Sequence, residues 1–184
     1  KDRLYTEKAD SKLRRSAQTV MYYILDALVK ILTPMTVFTA EEIWSKMKHT
    51  SDEEVRSPML TSYPQVNEEW NDKALVEKWN RILEIKDVVA KELELKRADK
   101  VIGNSLEAEV VVTASGDDYK LLNENKDLIK DVIIISKLDV VEGTDEEITA
   151  VAKHTEMEKC ERCWRYDEDI EDGLCPRCRE VLGK

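Results

Sequence analysis

The first hundred residues carry apolar side chains at the spacing of α-helices. Between residues 13 and 32 the apolar positions recur at steps of three and four and stop before a proline, which predicts a helix that ends there. Thr39 and Glu42 have capping-box spacing, which predicts that a second helix starts at this point. A third apolar face lies in residues 75–93. We therefore expect a helical bundle in residues 1–100.

After Gly103 the pattern changes from helical to alternating. Apolar residues and glutamates alternate in residues 106–112, which predicts a strand. Asp117 is the expected cap of a short helix that follows. Further strands are predicted at residues 132–135, 138–141 and 148–151. These elements make a small mixed α/β unit over residues 101–155, so the expected fold class is α+β with several domains.

All four cysteines fall near the end of the chain in the pattern C-x2-C-x11-C-x2-C. Two C-x2-C pairs supply the four sulfur ligands of a tetrahedral zinc site. Free thiols and disulfides are the alternatives, but disulfides suit an oxidising compartment and nothing in the sequence indicates secretion. Four thiolates leave no open position for a catalytic water, so we expect a structural zinc in a module over residues 156–184. The expected ligands are Cys160, Cys163, Cys175 and Cys178.

Aromatic and basic residues surround the first cysteine pair, among them Arg162, Trp164 and Arg165. An aromatic ring beside guanidinium groups is one way in which proteins hold unpaired bases. In the alternative interpretation, Trp164 forms the small core of the module and the arginines offset the acidic residues that follow. Composition alone favours neither.

The net charge of −10 is distributed unevenly. Residues 1–100 hold 18 basic and 18 acidic residues, residues 101–158 hold 5 and 14, and residues 159–184 hold 6 and 7. The total argues against a protein that simply coats DNA, whereas its distribution leaves the two ends of the chain open to a polyanion. We expect RNA to avoid the acidic middle.

Catalytic and membrane patterns are missing from this sequence. Two histidines and five scattered glycines supply neither a phosphate loop nor a hydrolytic triad. No apolar run has the roughly 20 residues that a membrane span needs, so we expect a soluble chain without membrane contact. The chain also begins inside a predicted helix, which indicates a piece of a longer protein. A binding module is the expected class.

Several motifs resemble one enzyme family. The stretch KDRLY at Lys1–Tyr5 and the stretch RRSAQTVMYYILDALVKILTPMTVFTAEEIW at Arg14–Trp44 resemble the anticodon-binding helical domain of class I aminoacyl-tRNA synthetases. The sequence KVIGNSLEAEV at Lys100–Val110 and the endings KCERCWRY and LCPRC resemble bacterial-type isoleucyl-tRNA synthetases. The resemblance covers essentially the whole chain.

The resemblance implies a C-terminal region that recognises isoleucine tRNA, while the ATP-dependent catalytic domain and an editing domain lie upstream. It implies one zinc per chain on the four cysteines, base contacts at Arg162 and Trp164, and a monomeric, cytoplasmic parent enzyme. Arg14 and Arg15 are candidate phosphate contacts, although a solvated helix face explains each of them equally well. Two other functions stay open at this point: the zinc-ribbon part of a DNA repair glycosylase, and a protein-interaction scaffold.

Overall fold

The computed structural model describes residues 2–49, 56–145 and 147–184. The chain divides into two compact units, Lys1–Asn71 and Asp72–Lys184. The first unit is helical, and the second combines helices with small sheets and holds all four cysteines. The expected α+β fold class is confirmed. In the described part of the chain, no helix is long and apolar enough to cross a membrane.

In residues 2–49 and 56–71 of the first unit, the α-helices are α1 (Asp2–Tyr5), α2 (Lys12–Leu32) and α3 (Val37–Lys46). Ser11 caps α2, since its side-chain oxygen accepts a hydrogen bond from the Arg14 N–H at 3.1 Å. The helix ends at Leu32, as the apolar spacing predicted. Two 3₁₀ turns follow α3, at Pro58–Leu60 and Glu68–Trp70.

The predicted start of the second helix at Thr39 is wrong. Thr39 and Glu42 lie inside α3, and Thr36 occupies the cap position. The Ala40 N–H already donates to the Thr36 carbonyl at 2.8 Å, so the helical hydrogen bonds begin one turn earlier than the capping-box spacing indicated. The connection after α2 is therefore short.

Few side chains of the first unit are buried. Val29 of α2 packs with Ala40 and Trp44 of α3 in a small cluster, against which Ile43 and Met47 also lie. Val29 is the one buried residue of the 21 in α2, and most other apolar side chains of this helix are exposed.

The second unit opens with the long helix α4 (Lys73–Ala98), which Asp72 caps through a 3.0 Å bond from the Leu75 N–H. The remaining elements, in chain order, are β1 (Ala108–Ala114), α5 (Gly116–Glu124), α6 (Lys126–Ile133), β2 (Lys137–Glu142), β3 (Thr149–His154), β4 (Glu158–Lys159), β5 (Tyr166–Asp167) and α7 (Pro176–Leu182). Strands β1, β2 and β3 form one sheet in the order β2-β1-β3, and β4 pairs with β5. The β1–β2 pair is parallel, with α5 and α6 forming the crossover, and β1–β3 is antiparallel.

Two local predictions in this unit are wrong. Residues 132–135 are not a strand, because Val132 and Ile133 end α6 and Ile134 follows them in the left-handed conformation at φ 65°. Their β-branched run matches strand composition, but helix burial at Ile129 and Ile133 decides the conformation. Asp117 is not a cap either, since it lies in the first turn of α5, after the cap residue Ser115. The strands predicted near residues 138–141 and 148–151 are present as β2 and β3.

The core of the second unit lies between the sheet and its helices. Strand β1 buries every second residue, as its alternation predicted. Helix α4 contributes Ile82, Ile85, Val89 and Leu93 to the same core. The predicted bundle over residues 1–100 includes the region of α4 because periodicity identifies a helix but not the surface that covers it. The predicted domain boundaries at residues 100 and 155 stay predictions.

Polar contacts also join α4 to the rest of this unit. The Arg81 guanidinium donates to both carboxylate oxygens of Asp118 in α5, at 2.7 and 2.6 Å. The Glu92 carboxylate accepts a 3.2 Å bond from the Ala152 N–H of the edge strand β3, and Lys96 pairs with Glu92 at 3.3 Å. Polar contacts thus link α4 both to α5 and to the edge strand β3.

Candidate metal centre and nucleic-acid interface

The four cysteines converge at the end of the second unit. Cys160 and Cys163 lie in the turn after β4, Cys175 precedes α7 and Cys178 lies in its first turn. Their sulfur atoms all lie within 4.8 Å of one another, and the Cys163 and Cys175 sulfurs are 3.7 Å apart. A tetrahedron with zinc–sulfur bonds of about 2.3 Å has sulfur–sulfur edges of roughly 3.8 Å. The donor set and its spacing fit a zinc ion.

The electrostatics around the sulfurs also suit a cation. Burial raises the pKa of the Cys160 thiol, but hydrogen bonds from the backbone N–H groups of Cys163, Cys175 and Arg162 outweigh it and lower the pKa to about 6. Burial raises the pKa of Cys163 to about 12, so its thiolate needs a neighbouring positive charge. Metal binding would supply that charge and release the protons.

The backbone between the cysteine pairs forms a tight hairpin. The Glu161 N–H donates to the Gly173 carbonyl at 2.9 Å. Gly173 has a φ of +74°, and a Cβ atom at this position would lie 2.9 Å from the Glu161 side-chain carboxyl carbon. Apart from the cysteines, the buried cluster contains Leu174, with Ile170 packed against it. So small an apolar core cannot hold the module alone, which makes a metal the main source of its stability.

Trp164 stands on the surface of this module. Its side chain is 61% exposed and lies outside the buried cluster, so the alternative in which Trp164 forms the core is wrong. The backbone φ of Trp164 is 66°. The Trp164 backbone N–H closes the first cysteine turn by donating to the Cys160 carbonyl at 2.9 Å. The Lys159 ammonium lies 5.5 Å from the ring centroid, within cation–π range. The turn thus presents a ring and a positive charge to solvent.

The two arginines of the first cysteine pair are engaged within the protein. Arg162 donates to the Cys178 sulfur at 3.4 Å. Arg165 donates to Asp131 of α6 at 2.7 Å, and its side chain is only 19% exposed. The Tyr166 N–H donates to the Ser136 side-chain oxygen at 3.0 Å, which adds a second contact between the module and the α/β part. Arg165 therefore anchors the module as well as lying beside Trp164.

Sequence reasoning missed Asp131 and Ser136. They lie 34 and 30 residues from their partners, and no local motif marks them. A pattern read along the chain identifies the metal ligands because their spacing is local, whereas long-range partners need the fold.

Arg14 and Arg15 lie in the first compact unit, on the first turn of α2. Arg15 is exposed, and Arg14 is half-buried, with one guanidinium nitrogen donating to the Glu7 carbonyl at 3.2 Å. Arg14 and Arg15 therefore lie in the first compact unit, whereas the other predicted RNA contacts lie in the second.

A family model for the anticodon-binding domain of tRNA ligase matches residues 1–112. The chain belongs to this family. The anticodon-binding match includes α1 to α4 and continues into β1. A second model, described as a zinc finger found in FPG and IleRS, matches residues 158–181 and includes all four cysteines. Together with the sulfur geometry, this match supports zinc binding by the anticodon-binding chain.

Curated relatives of this anticodon-binding chain include isoleucine–tRNA ligases of three organisms. The chain is 48% identical to isoleucine–tRNA ligase of Caldicellulosiruptor saccharolyticus. The alignment is 188 residues long and covers 99% of this chain and 20% of the relative. The chain is 43% identical to isoleucine–tRNA ligase of Thermotoga neapolitana over 192 residues, and 44% identical to that of Thermotoga maritima over the same length. Each of these two alignments covers 99% of this chain and 21% of the relative. The chain thus spans about a fifth of the length of these curated relatives.

Proposed function

We propose that this chain is the region of an isoleucyl-tRNA synthetase that binds the anticodon arm of isoleucine tRNA. The observation that carries the proposal is the alignment of 99% of the chain with relatives named isoleucine–tRNA ligase, together with the anticodon-binding match over residues 1–112. The ATP-dependent attachment of isoleucine belongs to other parts of the same protein. The parent enzyme is then a cytoplasmic monomer.

One zinc ion per chain stabilises the end of this region. Its ligands are the sulfurs of Cys160, Cys163, Cys175 and Cys178, whose mutual distances fit a tetrahedral site. Four sulfur ligands close the coordination shell, so the metal acts on the fold and not on a substrate. By fixing the cysteine turns it fixes the backbone that carries Trp164.

Trp164 is the base-stacking residue of the proposal. The left-handed conformation of a non-glycine residue costs about 1–2 kcal/mol of conformational free energy. The exposed Trp164 ring does not offset this cost by burial. Such strain is concentrated at functional positions. Lys159 beside the ring adds a phosphate-neutralising charge, and Arg162, which donates to the Cys178 sulfur, adds a second cation to the same turn.

The other predicted RNA contacts have lesser roles. Arg165 holds the module against α6 and brings its guanidinium to the side of the tryptophan turn. Arg14 and Arg15 contact phosphates of the anticodon stem, which orients the RNA without selecting its sequence. The proposal therefore separates selection at Trp164 from orientation at the arginines.

Filter binding on the full-length protein tests the proposal. Isoleucine tRNA should bind more tightly than the same tRNA with a changed anticodon, and Trp164→Ala should weaken binding roughly 5- to 150-fold, as the loss of one stacked base predicts. Val151→Ala is a matched control, because Val151 is 62% exposed and lies on the sheet. Equal binding of both tRNAs, or an unchanged affinity in Trp164→Ala, would contradict the anticodon role.

Duplex DNA belongs in the same experiment. The zinc finger is described as one found in both FPG and IleRS, so it does not distinguish a tRNA ligase from a protein of another class. The match over residues 1–112 makes that distinction. Tight, steeply salt-dependent binding to duplex DNA with weak binding to tRNA would contradict the proposal. A pull-down that recovers a protein partner and no tRNA would also contradict the proposal.

A further inference from the structure

The turn between Cys160 and Cys163 carries an arginine whose side chain contacts the second cysteine pair. Nη1 of Arg162 donates to the Cys178 sulfur at 3.4 Å. Cys178 is fully buried and lies in the first turn of α7, while Arg162 itself is half-buried. One side chain of the first cysteine turn thus contacts a buried metal ligand of the second.

The other three sulfurs accept hydrogen bonds from the main chain. Backbone N–H groups of the cysteine turns donate to the sulfurs of Cys160, Cys163 and Cys175. These donors are present whatever side chains the turns carry, except where a proline removes the N–H. The donor that the structure gives to Cys178 is a side chain, so this bond depends on the identity of residue 162.

The balance of charge gives the bond from Arg162 a second role. Four thiolates outweigh the charge of one Zn²⁺, so the filled site is a buried centre with net negative charge. Residues 159–184 hold 6 basic and 7 acidic residues, so the module has no general excess of positive charge to offset it. A buried charge is costly unless a donor or an opposite charge lies beside it. The Arg162 guanidinium supplies both at one sulfur.

Arg179 in α7 does not supply the same compensation. Its guanidinium pairs with the carboxylate of Asp169 at 2.7 Å and with that of Glu171 at 3.4 Å. The charge of Arg179 is therefore offset by acidic side chains of the module, whereas Arg162 donates to a sulfur.

We propose that Arg162 is a positioning residue of the zinc centre, which holds the Cys178 thiolate in place and offsets part of the negative charge of the four sulfurs. The inference rests on the zinc binding proposed above and goes beyond the RNA contact that the resemblance implied for this residue. Groups that orient metal ligands typically change metal affinity about 10- to 100-fold when they are removed. Arginine suits this position because its guanidinium stays charged and carries several donors in one plane.

Zinc affinity, measured on the full chain by competition with a chromogenic chelator, tests the proposal. Arg162→Leu should weaken zinc binding about 10- to 100-fold. Arg162→Lys should recover part of the affinity, because it keeps the charge and loses the planar set of donors. Lys184→Gln is the matched control, since it removes one positive charge at an exposed position of the same module and should bind zinc as the wild type does.

Three outcomes of this competition would overturn the proposal. If Arg162 serves RNA alone, Arg162→Leu binds zinc as tightly as the wild type does. If only the net charge of the module matters, Lys184→Gln loses as much affinity as Arg162→Leu. If the wild type itself binds far less than one zinc per chain, the proposed zinc binding fails together with the role of Arg162.

Cobalt substitution distinguishes a bond to sulfur from a general loss of folding. Co²⁺ bound by thiolates has sulfur-to-cobalt charge-transfer bands in the near ultraviolet, and their energy falls when a thiolate loses a hydrogen-bond donor. Arg162→Leu saturated with Co²⁺ should show these bands at longer wavelength, with the visible bands of a tetrahedral site retained. If Arg162→Leu takes up no cobalt, Arg162→Lys should show a smaller shift in the same direction. Charge-transfer bands at the wild-type wavelength in the saturated variant would overturn the proposal.

Discussion

The two compact units differ most in how their apolar residues are used. In the first, three residues form the buried cluster, and side chains such as Ile24, Leu28 and Phe38 are exposed. In the second, α4 and the sheet enclose fifteen buried residues. The second unit therefore has a complete core of its own, while much of the apolar surface of α2 is open.

The difference also bears on the proposed base-stacking position. Trp164 stands on a turn that carries two of the four cysteines and is docked on α6 in the unit with the larger core. A site on a well-packed scaffold is held in place before its ligand arrives, which lowers the entropic cost of binding.

Removal of zinc should have the largest effect and should be confined to the end of the second unit. Structural zinc contributes about 10–16 kcal/mol to the folding of small modules, so chelation or Cys175→Ser should unfold residues 159–184. The core formed by α4 and the sheet contains no cysteine and should remain folded. Hydrogen exchange should show fast amides only in the module.

Added zinc serves as the control for that experiment. It should restore protection to the chelated wild type and not to Cys175→Ser. A module that stays protected in a sample with far less than one zinc per chain would contradict the metal assignment.

Truncation of apolar side chains should have the second-largest effect on stability, and the effect should differ between the two units. Ile85 is fully buried in the second unit, so Ile85→Ala should lower its free energy of unfolding by about 2–5 kcal/mol. Leu28 on α2 is 48% exposed, and Leu28→Ala should cost less than about 1 kcal/mol. Denaturant unfolding followed by circular dichroism measures both. Equal losses would show that α2 is covered in solution.

Breaking the anchor between Arg165 and Asp131 should have a smaller effect. Asp131→Asn removes one charge from a partly exposed pair and should destabilise the docking of the zinc module by about 1 kcal/mol. Hydrogen exchange in the module reports this loss while the zinc content stays unchanged. Asp127→Asn on the same helix is the matched control, since Asp127 is 96% exposed and pairs with Lys130 within α6. An equal effect of both variants would rule out a specific anchor.

The smallest expected effect is a pH dependence within the second unit. The hydrogen bonds from Arg81 lower the pKa of Asp118 below its ordinary value of 3.8. A carboxyl with a lowered pKa stabilises the fold above its unfolded-state pKa and loses that contribution as the pH falls through the folded-state value. Because Arg81 is 41% exposed, the effect should stay below about 1 kcal/mol.

Asp118→Asn tests this pH dependence. The variant should lose stability at neutral pH and should show a flatter decline below about pH 4 than the wild type. Identical acid limbs in urea unfolding curves would contradict a role for this pair.

Local patterns predicted several elements of the fold. The alternation in β1 identified the strand because burial imposes its period, and the three- and four-residue spacing in α2 identified the helix although Val29 is its one buried residue. The strand prediction at residues 132–135 was wrong because a β-branched run is compatible with a strand or with a helix end, and no sequence pattern indicates the left-handed conformation of Ile134. The packing of α4 on the sheet had no local signal either.

The sequence also predicted only part of the candidate site. Four cysteines at fixed spacing predicted a sulfur cluster, and the described geometry brings those four sulfurs together. The exposure of Trp164 and the engagement of Arg165 with Asp131 depend on how the module docks, which residues distant in the chain determine. Composition beside the cysteines therefore left the role of Trp164 open.

The contact between Glu92 and the Ala152 N–H has a consequence for solubility. Strand β3 lies at the edge of its sheet, and an edge strand with free backbone groups can recruit strands from other molecules. The carboxylate accepts a bond from one of these donors within the same chain, so that N–H is not available to an incoming strand. We expect this one glutamate to hinder pairing of β3 with a strand of another molecule, at a strand that is otherwise rich in small and β-branched residues.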